Sequence, residues 1–81
     1  MALEVTYVID QAMLERLKNT FTYHAPREGQ PERYQQIRQE GFLFASIICA
    51  ETPPSREQSL ALTKLEEVVF WANAAIARHE Q

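Results

Sequence analysis

The stretch TPPSREQSLALTKLEEVVFWANAAIARHE, residues 52–80, decides the fold. A residue that precedes proline avoids the α region, so Thr52 followed by Pro53 and Pro54 ends any helix before it. Ser55 then reads as an N-cap, and Gln58 three residues on completes a capping box. From Arg56 to His79 nothing breaks a helix. Leu62, Leu65, Val69, Ala72 and Ile76 recur at helical spacing, and a second stripe runs through Ala61, Leu65, Val68 and Ala75. The pattern predicts a helix over about 55–79, on the order of 35 Å long.

Upstream of that turn, Pro31 suits the first turn of a helix, where its missing N–H would be unpaired anyway. Tyr34, Ile37, Gly41, Phe44 or Ala45, and Ile48 recur every three or four residues, which predicts a second helix over about 31–51. Gly41 inside it costs ~1 kcal/mol against Ala, so it reads as a point where a neighbouring backbone comes close. Helices joined by so short a turn pack antiparallel. Ahead of them lies a loop around 24–30, marked by Pro26 and Gly29, and a leader helix over about 9–20 with Met13, Leu14 and Leu17 on its apolar side. The reading is all-α: one helical domain over 1–81, with a short N-terminal helix, a loop, and two long antiparallel helices forming a helical hairpin.

Composition narrows the function. A chain of 81 residues supports one domain with a small core. Phe42, Leu43 and Ile47 lie off the stripe of the second helix, and Leu60, Phe70 and Trp71 off that of the third. One chain cannot bury them all, so self-association is the economical cover, a hetero-partner the alternative. The single cysteine, Cys49, excludes an intrachain disulfide and a cysteine-based zinc cluster and points to a reducing compartment. The longest charge-free stretches, Gly41–Ala50 and Val68–Ala77, are ten residues each, against the ~20 a membrane span needs. The amino end, MALEV, carries no basic or secretory signal pattern. A net charge of -3 argues against a general duplex-DNA binder. The expectation is a soluble, cytoplasmic, self-associating protein.

Little in the sequence supports catalysis. His24 and His79 stand apart with no partner at metal-ligand spacing. Cys49 lies in an apolar run, and the adjacent Glu66 and Glu67 face different ways on a helix. No metal, cofactor or catalytic group is expected. Binding has more support, because the acidic total hides a basic segment: Arg16 to Arg38 holds five bases against two acids, interleaved with Phe21, Tyr23, His24 and Tyr34. Aromatics among cations suit a ligand with a stackable face and a phosphate. A loop aromatic at Tyr23 or His24 beside Arg33 or Arg38 on the following helix could sandwich a base and hold its phosphate. On residues alone a Tyr23 ring packed under the loop and an exposed Arg38 paired with Glu32 or Glu40 remain open. Arg56, Ser59 and Thr63 share one side of the third helix near its positive end, suited either to an anion or to capping. Asn73 among alanines reads as a register-setting polar group at a close helix contact.

Two blocks, FTYHAPREGQPERYQQIRQ (21–39) and PPSREQSLALTKLEEVVFWANAAIARHE (53–80), resemble a phage family sharing a helical hairpin domain. It includes the sponges that counter cyclic-oligonucleotide-based anti-phage signalling (CBASS) and the anti-Thoeris sponges. The resemblance implies a homo-oligomer, in the family a hexamer, acting in the cytoplasm of the infected host. It would sequester cyclic dinucleotides such as 3′,3′-cyclic GMP–AMP, and in some members cyclic trinucleotides, without cleaving them. It assigns base stacking to Tyr23 and phosphate to Arg38, with Arg33 as the rival, and it places Arg56 and Thr63 at a second pocket. Gly41-Phe42-Leu43-Phe44 departs from the family's more alanine- and lysine-rich second helix. Two other readings are a sponge for cyclic ADP-ribose-type Thoeris signals and a module that docks a host protein through its apolar faces.

Overall fold

The structure, a computed structural model, describes residues 6–80. The reading of the amino end MALEV lies outside the described residues. Three helices follow in order, and no strand occurs among the described residues: α1 (Gln11–Thr20), α2 (Gln30–Glu51) and α3 (Arg56–His79). No helix among them is long and apolar enough to cross a membrane.

Each boundary has a local cause. Helix α1 starts at Gln11, later than the apolar pattern suggests, because the Asp10 carboxylate accepts the Met13 N–H at 2.8 Å and so caps it. Helix α2 starts at Gln30, one residue before Pro31, after Gly29 turns the chain with φ of 82°. That left-handed conformation is open to glycine at little cost. Thr52, extended ahead of Pro53, ends α2. Ser55 caps α3 by accepting the Gln58 N–H at 3.1 Å. The expected capping box forms only by half. The Gln58 amide turns back and donates to the Thr52 carbonyl and hydroxyl, at 3.0 and 3.1 Å. This joins the end of α2 to the start of α3 across the Pro53–Pro54 turn.

Helices α2 and α3 run antiparallel, with Gln30 reaching Glu80 at one end and Thr52 reaching Gln58 at the other. The seam uses the predicted stripes: Tyr34, Ile37, Gly41, Ala45 and Ile48 face Leu62, Leu65, Val69, Ala72 and Ile76, all buried or half-buried. Of the two alternatives at 44 and 45, the seam takes Ala45 and leaves Phe44 out. In the second stripe of α3 only Leu65 is covered; Ala61, Val68 and Ala75 face outward. Gly41 marks the tightest point, where an added Cβ would lie 2.6 Å from Val69 Cγ2. The seam is narrow. Ile76, at 7 % exposure, is the one buried hydrophobic residue among those described, while Phe42 (71 %), Phe44, Ile47, Val68, Phe70 and Trp71 stand open.

Gly41→Ala tests the close approach. The helix gains ~1 kcal/mol in propensity, but the methyl must displace a β-branched Val69 with one strongly preferred rotamer, and overpacking costs ~1–3 kcal/mol. We expect a net loss of about 1 kcal/mol by urea unfolding. In a Val69→Ala background the same substitution becomes stabilising.

Candidate functional site

The open end of the hairpin, opposite the proline turn, carries the loop between α1 and α2. Tyr23 and His24 of this loop, Tyr34 and Arg38 of α2, and Phe70 and Asn73 of α3 line a cavity of about 380 Å³. Tyr34 and Arg38 share a helix face because they are four residues apart, as are Phe70 and Ala74 on α3. Ala74 and Ala77 complete the wall, and side chains that short leave a shallow, flat floor.

Arg38 lines the cavity from α2. Its guanidinium carbon lies 6.0 Å from the centroid of the Tyr34 ring, within the range of a cation–π contact, and no carboxylate pairs with it among the described residues. Arg33 is committed elsewhere. Its two terminal nitrogens donate to the two Glu80 oxygens at 2.6 and 2.8 Å, a bidentate fork that joins the start of α2 to the end of α3. Hydrogen bonds from Arg33 hold the Glu80 carboxyl below its ordinary value, with Gln30 adding to the effect and burial opposing it. The same hydrogen bond raises the Arg33 guanidinium. The two arginines that the sequence left as rivals thus differ in kind: one closes the hairpin and the other faces the cavity.

Tyr23 is 84 % exposed, so its ring is available for stacking and is not packed under the loop. His24 Nε2–H donates to the Asn19 carbonyl at 2.9 Å, which fixes the ring against the end of α1 while it still lines the cavity. Arg56 and Thr63 lie in the first two turns of α3. From Arg56 to Ala74 along the helix is about 27 Å, so they are not part of this cavity. Sequence reasoning did not name Tyr34, Phe70 or Asn73 as site residues. The signals existed: Tyr34 precedes Arg38 by four residues, and Asn73 is the polar member of an alanine run. Asn73 Oδ1 is buried with no hydrogen-bond partner among the described residues, and its side chain stands in the cavity wall. No cluster of three or more His, Cys, Asp or Glu able to hold a metal occurs among the described residues.

A family model described as the Acb2/Tad1 hairpin domain matches residues 13–77. The chain belongs to the Acb2/Tad1 hairpin family. This is the family of the anti-CBASS and anti-Thoeris sponges. Comparison with curated proteins and with solved structures finds no match. The match runs from α1 into the last turn of α3 and so takes in the whole cavity.

The Arg33–Glu80 fork carries a pH signature. A carboxyl whose folded pKa is depressed stabilises the fold above its unfolded pKa, ordinarily near 4.5, and loses that contribution as pH falls through the lower folded value. Wild type should therefore melt above Glu80→Gln at neutral pH. The gap should close as pH is lowered below about 4.5, when followed by circular dichroism.

Proposed function

We propose that the chain is a phage anti-defence sponge that sequesters cyclic dinucleotide second messengers of bacterial CBASS immunity, such as 3′,3′-cyclic GMP–AMP, and releases them unchanged. The observation that carries this reading is the convergence of an exposed Tyr23 and of Arg38, which has no carboxylate partner among the described residues, on one alanine-floored cavity. Membership of the Acb2/Tad1 hairpin family supports the ligand class. A purine stacks on Tyr23, and its phosphate takes the Arg38 guanidinium. In this reading the chain acts by stoichiometric capture in the cytoplasm of the infected host, with Tyr23 and Arg38 as its binding groups.

A cyclic dinucleotide has two bases and two phosphates, whereas one protomer offers one such Tyr–Arg set. A symmetric contact between two copies supplies each half of the ligand with the same residues. The open faces of α2 and α3, with Phe42, Phe44, Phe70 and Trp71 exposed, support such an assembly, and we propose a homo-oligomer, a hexamer as in the family resemblance. Capture of a micromolar messenger needs a Kd near ~1 nM, about -12 kcal/mol. Stacking contributes ~1–3 kcal/mol per base, and charge-assisted phosphate contacts add to it.

Titration calorimetry with 3′,3′-cyclic GMP–AMP, followed by heat denaturation and chromatography, tests the reading. Tight binding with intact nucleotide recovered is expected; a cleaved product, or no binding of any cyclic dinucleotide, overturns it. Arg38→Ala should weaken binding by about 10- to 100-fold, the value of a charge-assisted hydrogen bond, while Arg33→Ala should stay within about threefold. Phe44→Glu places a charge on the exposed face of α2 and should shift the sedimentation profile of the assembly towards single chains, leaving the helical circular dichroism signal in place.

A further inference from the structure

The Tyr23 ring has little packing of its own, so its place is set by the backbone that carries it. That backbone is tied to the last turn of α3 on both sides. On the α1 side, Asn19 Nδ2 donates to the Arg78 carbonyl at 2.9 Å, a link between residues 59 apart in sequence. The Asn19 carbonyl in turn accepts the His24 ring N–H at 2.9 Å. On the α2 side, the half-turn before the helix is fixed by Gln30, the buried polar residue of the structure at 5 % exposure. Its Oε1 accepts the Arg27 N–H at 2.9 Å, and its Nε2 lies 3.4 Å from Glu80 Oε1.

The last residues of α1, Asn19 and Thr20, are half-buried, and Asn19 reaches α3. The apolar residues Met13, Leu14 and Leu17 further up the helix are exposed, so its hold on the hairpin is concentrated at that end. The Asn19 side chain is therefore more than a helix-end ornament. It spans from α1 to α3, while the main-chain carbonyl of the same residue accepts the His24 ring N–H, one residue from Tyr23.

We propose that Asn19 is a positioning residue for ligand capture: it holds the Tyr23 loop in its binding position by bridging the His24 ring to the Arg78 carbonyl. This rests on the nucleotide-stacking role of Tyr23 proposed above. The physical basis is preorganisation: a loop already in its bound arrangement gives up less freedom when ligand arrives, and a protein whose competent state is only partly populated binds proportionally more weakly. The Arg78 carbonyl is in the last turn of α3, where carbonyls lack helical partners and reach water if the amide is removed. Alanine also has a higher helix propensity than asparagine. Asn19→Ala should thus free the loop with little effect on the fold.

The test reads the loop with and without ligand. In ligand-free protein, amide hydrogen exchange of residues 21–25 should quicken at least tenfold in Asn19→Ala, with the melting temperature within about 3 °C of wild type, a shift typical of well under 1 kcal/mol. Titrated with 3′,3′-cyclic GMP–AMP, Asn19→Ala should bind about tenfold more weakly, whereas in a Tyr23→Ala background it should add nothing further. Asn19→Gln, which keeps the amide on a longer arm, should recover part of the loss. Unchanged exchange in the loop, or an equal loss of affinity in the Tyr23→Ala background, overturns the proposal. If wild type binds no cyclic dinucleotide while exchange still quickens in Asn19→Ala, the tether exists but serves no capture of this ligand class. That result overturns the ligand reading and, with it, the positioning role.

Discussion

The register between α2 and α3 is the constraint on which the remainder of the structure depends. It is fixed at three heights. The proline turn, closed by Gln58 on Thr52, sets the lower end. Gly41 against Val69 sets the middle, where only a missing side chain allows the approach. Gln30 and Arg33 on Glu80 set the open end. A slip of one helical turn, about 5.4 Å, would carry Arg38 away from Asn73 and Phe70 and put a side chain where Gly41 now meets Val69. The cavity exists because these contacts agree with one another.

Much of the hairpin was legible in the sequence because its determinants are local. Pro53-Pro54, the Ser55 cap and the period of Leu62, Leu65, Val69, Ala72 and Ile76 act over a few residues each, and the structure follows them. The choice of Ala45 over Phe44 was not legible. Both fit the spacing, and the tight approach at Gly41 decides in favour of the smaller side chain one turn on. The Gln58 half of the capping box went elsewhere for a related reason. Its amide found the Thr52 carbonyl, which is left without a helical partner once Pro53 ends α2.

For the site, composition pointed to the right segment but could not divide its arginines. Arg33 and Arg38 have the same chemistry, and their separation into a structural and a cavity-facing residue depends on Glu80, 47 residues further on. Tyr34, Phe70 and Asn73 were not named as site residues because periodicity reads Tyr34 as core and Asn73 as a register position, and leaves Phe70 off the stripe as a residue for a partner chain to cover. Asn73 is both: it lies in the seam between α2 and α3 and its amide borders the cavity.

The four-residue turn between α2 and α3 also has a kinetic meaning. Contacts next to Pro53 and Pro54 close the smallest loops and form at the least entropic expense, whereas Gln30 and Glu80 are 50 residues apart and must meet after the intervening helices are aligned. The hairpin therefore zips from the turn towards its open end and frays in the reverse order. The cavity occupies that open end. The contacts of Asn19, Gln30 and Arg33 with the end of α3 therefore hold the binding residues at the end of the hairpin where separation would otherwise begin.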